Sequence, residues 1–212
     1  MKILAIDIST KNLNIAVFLD GKVHGIYLEN CLKTHSEILL KNLDALLKSL
    51  NLKLGDFDYF CCCIGPGSFT GIRIGVCTIK TFAQAFNKKV IAITSNELYA
   101  YNESSKNGFI ISAVNAMQNK IYYAVYKNGA EIVAPSICEI SDFNEIVKKY
   151  KGHIVSDLLI PGADVVLVKD LNDKLANLAN FKATQNLAVD FLAVEPLYVR
   201  LSAAEEKFGC LK

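Results

Sequence analysis

Histidine is scarce in this chain: His24, His35 and His153 are the only three in 212 residues, and they lie far apart. A metal site or catalytic centre built on clustered imidazoles at fixed spacing is therefore excluded. The seven cysteines form no Cys-x-x-Cys pair. Cys61, Cys62 and Cys63 are consecutive in an apolar run and Cys31, Cys77, Cys138 and Cys210 are scattered, so they are expected to act as small buried apolar residues. No apolar run reaches 18 residues, and a strand pattern begins at Ile3 with no leader layout before it, which predicts a cytoplasmic protein without a membrane span. Charge of one sign is also lacking. A formal net charge of +2 predicts no dedicated nucleic-acid surface, so any RNA contact is expected to be shared with a partner. The four prolines mark no Pro/Ser-rich linker, and no segment is of low complexity.

What is present fits a globular chain, with 52% hydrophobic and 21% charged residues, as one large domain or two small ones. Strands are predicted over Lys2–Ile8, Leu13–Leu19 and Lys22–Glu29, the last two joined by the hairpin signal Asp20-Gly21. Thr34 and Glu37 form a capping-box pattern for a helix from His35 to about Leu50. A strand from Tyr59 to Ile64, a helix from Phe69 to Phe86, a strand from Lys89 to Thr94 and a short helix from Ser95 complete the order βββαβαβα. The opening recurs at an offset of 108: Ile6-Asp7 matches Val114-Asn115, Ala16-Val17-Phe18 matches Ala124-Val125-Tyr126, and Asp20-Gly21 matches Asn128-Gly129. That is the mark of a duplicated domain. The second copy is abbreviated, with strands over Phe109–Asn115, Ile121–Tyr126 and Glu131–Ala134, then a helix from Ser141, its expected cap, to Tyr150. Short strands follow at His153–Val155 and Asp164–Val168, then a helix from Leu171 to Leu192 with a break near Phe181, an extended Leu197–Arg200 and a terminal tail. The expected division is 1–103 and 104–212, through the polar stretch Asn102–Gly108.

Gly65-Pro66-Gly67-Ser68-Phe69-Thr70-Gly71 lies between a buried strand and a helix N-terminus. Gly65, Gly67 and Gly71 let backbone approach another surface, and Ser68 or Thr70 can cap the first free N–H groups. The stretch is either a tight turn or an anion site; it is neither a P-loop nor a dinucleotide fingerprint. Asp7, with Ser9, Thr10 and Asn12 nearby, either builds a local hydrogen-bond network or contacts a nucleotide. Arg73 sits in the first turns of its helix, where the macrodipole disfavours a cation, so a salt bridge to Asp7, Glu97 or a partner carboxylate is expected. Lys80, in an otherwise apolar helix, is expected to snorkel.

The run Gly65-Pro66-Gly67-Ser68-Phe69-Thr70-Gly71-Ile72-Arg73-Ile74-Gly75 resembles the signature of the bacterial TsaB (YeaZ) family, in which Leu usually stands at position 72. Ile3-Leu4-Ala5-Ile6-Asp7-Ile8-Ser9-Thr10, His35-Ser36-Glu37 and Pro196-Leu197-Tyr198-Val199-Arg200 match in the expected order. The resemblance implies an α/β, duplicated actin-like fold (ASKHA, ribonuclease H-like). Superfamily members that cleave ATP carry an Asp-x-Gly loop, whereas here Asp7 is followed by Ile8 and Ser9, and Asn115 by Ala116 and Met117. The implied role is a non-catalytic scaffold in making N6-threonylcarbamoyladenosine in tRNAs that read ANN codons. It would organise the transferase TsaD, help recruit TsaE and meet tRNA through the complex, with no cofactor or metal of its own, and could form a homodimer when alone. TsaD carries a His-x-x-x-His metal motif; here Leu39 stands four residues after His35. The partner surface implied comprises His35, Ile38, Leu39, Asn42, Leu43 and Leu46 on the first helix. On the second it comprises Arg73, Val76, Cys77, Ile79, Lys80, Phe82 and Ala83. The alternative is a phosphotransferase or ATPase using Asp7, Ser9, Thr10, Gly65, Gly67, Ser68 and Gly71.

Overall fold

The computed structural model describes residues 1–31, 35–104 and 106–200. The first half runs β1 (Lys2–Asp7), β2 (Leu13–Leu19), β3 (Lys22–Leu28), α1 (His35–Ser49), β4 (Tyr59–Gly65), α2 (Phe69–Phe86), β5 (Lys89–Thr94) and α3 (Ser95–Asn102). The second runs β6 (Phe109–Asn115), β7 (Lys120–Lys127), β8 (Ala130–Glu139), α4 (Ile140–Tyr150), β9 (His153–Ser156), β10 (Val165–Leu167) and α5 (Asn172–Thr184). Each half makes a five-stranded sheet, ordered β3-β2-β1-β4-β5 and β8-β7-β6-β9-β10. An antiparallel meander is thus extended by two parallel strands in both, and this repeated topology supports the duplication. In the second sheet β9 and β10 are joined by residues 157–164 where the first half has α2, which is the abbreviation the sequence announces.

The order of layers follows from which faces are apolar. Leu4 and Ile6 of β1 join Leu39, Leu43, Leu46, Ile72, Val76, Ile79 and Ala83 of α1 and α2 in one core on the outer face of the first sheet. Ile3 and Ala5 point the other way and share a second core with Leu98 of α3, Leu175 and Ala179 of α5, and Val114 and Ala124 of the second sheet. So α3 and α5 lie between the sheets, and α5 packs on β1, β2 and β3 although it belongs to the later part of the chain. Lys182 of α5 places Nζ 2.9 and 2.8 Å from the two carboxylate oxygens of Glu97 in α3, tying the two central helices together.

Local chemistry explains most element ends. Asp20 and Gly21 both adopt positive φ, 47° and 88°, as a two-residue hairpin turn requires. Thr94 and Glu97 form a reciprocal capping box at α3, and Ser68 caps α2 by accepting from the Gly71 N–H at 3.2 Å. Two expectations need correction. Helix α4 begins at Ile140 with Glu139 in the capping position, and Ser141 lies inside it, bonded to Asp142 at 2.9 Å. Helix α5 continues past Phe181 to Thr184 and stops where Asn186 turns left-handed, φ 58°, letting Leu187 N–H reach back to the Lys182 carbonyl at 3.0 Å. Thr34 and the tail beyond Arg200 lie outside the described residues.

The repeat also carries a slip of one residue. Strands β2 and β7 keep the offset of 108 on matching faces, but Asp7 pairs with Asn14 whereas Tyr122, the counterpart of Asn14, pairs with Val114. Asn115, matched to Asp7 in the ungapped sequence repeat, therefore faces the opposite side of its sheet. The position equivalent to Asp7 is Val114.

Candidate functional site

Asp7 ends β1 and is 2% exposed. Its Oδ1 accepts from the Ser9 N–H at 2.9 Å and the Ser9 hydroxyl at 2.7 Å. The Ser95 hydroxyl, at the start of α3, donates to the Pro66 carbonyl at 2.8 Å and lies 3.0 Å from Ser9 Oγ. The Cys63 thiol sits 3.2 Å from the same hydroxyl. The network expected around Asp7 is therefore present, and it also joins the glycine loop and α3. Thr10 contributes a turn by accepting from the Asn12 N–H at 3.3 Å.

The glycine loop is closed by this chain's own backbone. A Cβ on Gly67 would lie 2.0 Å from the Ser9 carbonyl oxygen, and one on Gly71 2.0 Å from that of Ile8. The Ser68 N–H donates to the Ser9 carbonyl at 2.7 Å, and the Gly71 N–H to the Ser68 hydroxyl. These donors and this space are what a phosphate would need. The candidate nucleotide residues are brought together, but they are engaged with one another. Gly65 takes φ 104°, and Leu197 N–H donates to the Ile64 carbonyl beside it at 2.8 Å.

Asp157, which follows β9, was not among the sequence candidates. Its Oδ1 accepts from the Asn115 N–H at 2.9 Å, and it is half-buried. Burial pushes its carboxyl up to about 6, with backbone hydrogen bonds and Lys11 opposing and Asp7 adding to the rise. Both carboxylates also act on the buried Tyr99 phenol, which is raised first by burial and then by Asp157 and Asp7. Asp157 releases its proton in the unfolded chain near the usual 3.8 but keeps it to about pH 6 when folded. The folded state thus binds more protons in that window, and stability falls as pH rises through it. Asp157→Asn, whose carbonyl can keep the Asn115 bond, is expected to raise stability at pH 7 by about 1–2 kcal/mol after allowance for partial solvent access. Urea titrations at pH 4 and pH 7 check this, since the gain should vanish at the lower pH.

The helix pair differs from expectation. Leu39, Leu43, Leu46, Val76, Ile79 and Ala83 are 0–6% exposed and fill the chain's own outer core, so they cannot line a partner surface. One sheet face, with both helices packed on each other, covers them. Phe82 is half-buried with its ring 5.9 Å from Phe60. Ile38 and Asn42 are half-buried, and the Asn42 amide donates to the Ile38 carbonyl at 2.7 Å. The side chain of His35 lies outside the described residues. Arg73 and Cys77 are exposed, in line with Thr81 and Gln84.

Along that outer stripe of α2 runs residues 191–196, enclosing with it a groove of about 350 Å³. Lys80 Nζ donates to the Val194 carbonyl at 2.8 Å, so its ammonium fastens this strap and does not reach for solvent. Arg73 forms no salt bridge among the described residues. Its Nε donates to the Tyr198 hydroxyl at 2.7 Å, and its guanidinium carbon is 5.4 Å from the rings of both Phe69 and Tyr198, which stack at 4.4 Å. The cation is held by aromatic rings despite the helix dipole. Cys61, Cys62 and Cys63 are buried as expected and their thiols pushed up by desolvation, that of Cys62 to about 12, as suits inert core residues, whereas Cys77 is exposed on α2 and Cys31 and Cys138 are half-buried. Among the described residues no group of three or more His, Cys, Asp or Glu side chains is placed to hold a metal ion.

Residues 17–191 match the family model described as "TsaD: tRNA N6-adenosine threonylcarbamoyltransferase". A relative from Bacillus subtilis (strain 168), "tRNA threonylcarbamoyladenosine biosynthesis protein TsaB", is 29% identical over 98% of both chains. The chain belongs to this family, as a TsaB (YeaZ) member. Another TsaB, from Escherichia coli (strain K12), is 30% identical over 60% of this chain and 55% of its own. The crystal structure of YeaZ from Pseudomonas aeruginosa superposes with a TM-score of 0.75 at 22% identity, covering 93% of this chain and 99% of that one. A second P. aeruginosa structure, of "an uncharacterized protein with similarity to peptidase YEAZ", gives a TM-score of 0.78 at 21% identity over 94% and 99%. The two structures establish the actin-like TsaB/YeaZ fold. The chain spans nearly the whole length of the B. subtilis TsaB, so its abbreviation is relative to its own first half, not to that relative. A TsaB member takes part in tRNA threonylcarbamoyladenosine biosynthesis. No helix among the described residues is long and apolar enough to cross a membrane.

Proposed function

We propose that this TsaB chain is a non-catalytic subunit that holds a TsaD-type transferase in its working arrangement in the cytoplasm, assists recruitment of TsaE, and meets tRNA within that assembly. The observation that carries this reading is the closed glycine loop. Gly67 is pressed against the Ser9 carbonyl and Gly71 against that of Ile8, which fills the space a phosphate would need at this helix start. The second-half position equivalent to Asp7 is Val114, which has no carboxylate, and the carboxylate that the second half does bring near, Asp157, is engaged by the Asn115 N–H. The division into units 1–103 and 104–212 is part of the same proposal, with α1 and α2 of the first unit facing the transferase. With the buried leucines removed from the surface and Lys80 tied to the Val194 carbonyl, the contact rests on Ile38, Asn42, Arg73, Cys77 and the half-buried Phe82.

Cys77→Glu places a charge on an exposed part of α2, where substitutions change stability by about 0.5 kcal/mol or less. It is expected to weaken co-elution with TsaD from the same organism by roughly 30-fold or more, as loss of a central interface residue does. Size-exclusion chromatography with light scattering, run on the chain alone and mixed, checks this alongside ATP hydrolysis by the chain alone. Hydrolysis abolished by Asp7→Ala, without complex formation, would refute the proposal.

A further inference from the structure

The small net charge conceals an uneven distribution. At the end of the second sheet where β6 begins and β7 and α4 finish, Lys127 Nζ lies 4.8 Å from the centre of the Phe109 ring. That ring meets Tyr150 edge-on at 5.4 Å, and Lys149 Nζ lies 5.1 Å from the Tyr150 ring. Lys148 and Lys151 are exposed beside Lys149, and exposed Lys106 precedes Phe109 in the connection from α3. None of these five lysines is in an ion pair among the described residues; the ion pairs present are Met1–Asp20, Lys48–Asp44, Lys120–Glu139 and Lys182–Glu97. Glu103, Glu131 and Glu145 are the carboxylates nearest in sequence along these elements, and among the described residues none of them is in an ion pair with the cluster.

Lysines at the last turn of α4 complement its dipole, and for Lys148 and Lys149 that alone would suffice. It does not account for Lys127, which comes from a different element and is aligned with Lys149 through two intervening aromatic rings. The rings are half-buried, so they act as a fixed platform that holds ammonium groups outward at low entropic cost. Unpaired lysines on several elements, converging on one edge without a bonded carboxylate, form a surface for a polyanion.

We propose that this basic and aromatic edge of the second half binds the phosphate backbone of the RNA on which the assembly acts. The inference rests on the proposed function for the identity of the polyanion, because an assembly that modifies tRNA must hold it. Contacts of this kind position the nucleic acid without reading its sequence.

The test uses the full chain alone, with fluorescence anisotropy of an unmodified, fluorescein-labelled tRNA transcript over a range of salt concentrations. Binding in the micromolar range that weakens with salt is expected. Lys127→Glu/Lys149→Glu/Lys151→Glu should reduce affinity at least ten-fold and lower the slope of log K against log salt by about 2 to 3. A variant with the same charge change elsewhere, Lys22→Glu/Lys53→Glu/Lys89→Glu, should stay within about two-fold of the parent. Equal weakening in both triple variants, an unchanged affinity in the first, or no tRNA binding at low salt would overturn the proposal. So would binding to phosphatidylserine-containing vesicles without binding to tRNA. Co-elution of the chain with TsaD, measured separately, tells whether the functional reading stands when this inference fails.

Discussion

Gly71→Ala is expected to destabilise the chain by about 3 kcal/mol or more and to lower its melting temperature by roughly 10 °C. The reason is main chain against side chain. The new Cβ would stand 2.0 Å from the Ile8 carbonyl oxygen, closer than any van der Waals contact permits, and a carbonyl in a strand-end loop cannot rotate away like a side chain. Gly67→Ala meets the Ser9 carbonyl at the same distance and should behave alike. Moving the Ser9 carbonyl would also break its bond from the Ser68 N–H, and moving either one would disturb the Asp7–Ser9–Ser95 network that joins β1, the loop and α3. Gly75→Ala is the internal control. On the same helix, its Cβ would meet only side-chain atoms of Ile8, Cγ1 at 3.2 Å and Cδ1 at 3.7 Å, which a shift of a few tenths of an ångström relieves, and it gains helix propensity, so its effect should stay within about 1 kcal/mol. Urea unfolding of the three variants checks the ranking. A Gly71 variant as stable as the Gly75 variant would show that the loop can open, which would return a phosphate site to consideration.

Most elements were legible because their signals are local. Asp20-Gly21, the apolar run before Gly65 and the long apolar helix after Ser68 lie where the residues place them. The duplication was legible too, but its parity was not. β1 and β6 are buried on both faces, Leu4 and Ile6 on one side and Ile3 and Ala5 on the other, so neither strand shows the alternation that reveals which way a residue points. An ungapped match of isoleucine, valine and alanine then costs nothing when shifted by one residue, and the shift moved Asn115 to the wrong face. The left-handed turn Met117-Gln118-Asn119 takes up the added residue, with Arg200 donating to the Ala116 carbonyl at 3.2 Å and to Gln118.

The site was legible in kind and not in use. Three glycines at a helix start say that backbone comes close to something, and only the fold reveals that the visitor is Ile8–Ser9 of the same chain. Asp157 carries one signal in the sequence: it is a carboxylate at the end of a short apolar run, as Asp7 is at the end of β1. The fastening of Arg73 and Lys80 by Tyr198 and Val194 joins residues more than 100 positions apart, beyond the reach of helical spacing. An arginine at a helix start needs a partner, but the rules of charge pairing favour a carboxylate over two stacked rings.

Leu39→Asp is expected to abolish cooperative folding, because it puts a carboxylate where the side chain is 0% exposed, in the core cluster that includes Leu4, Ile72 and Val76. Loss of the leucine costs about 2–5 kcal/mol as a cavity, and an unpaired buried charge adds more, so the total reaches much of the stability of a domain this size. Leu39→Ala should retain the fold with a transition lowered by about 3 kcal/mol, measurable by urea titration of tryptophan-independent circular dichroism. This separates two meanings of a leucine stripe on α1. If Leu39 faced a partner, the aspartate variant would remain folded and lose only its complex; as a core residue it loses both. Failure of Leu39→Asp to bind TsaD would therefore report unfolding, and only a folded variant such as Cys77→Glu can report on the contact itself. A cooperative, near-native transition in Leu39→Asp would place α1 differently on its sheet and restore its leucines as interface candidates.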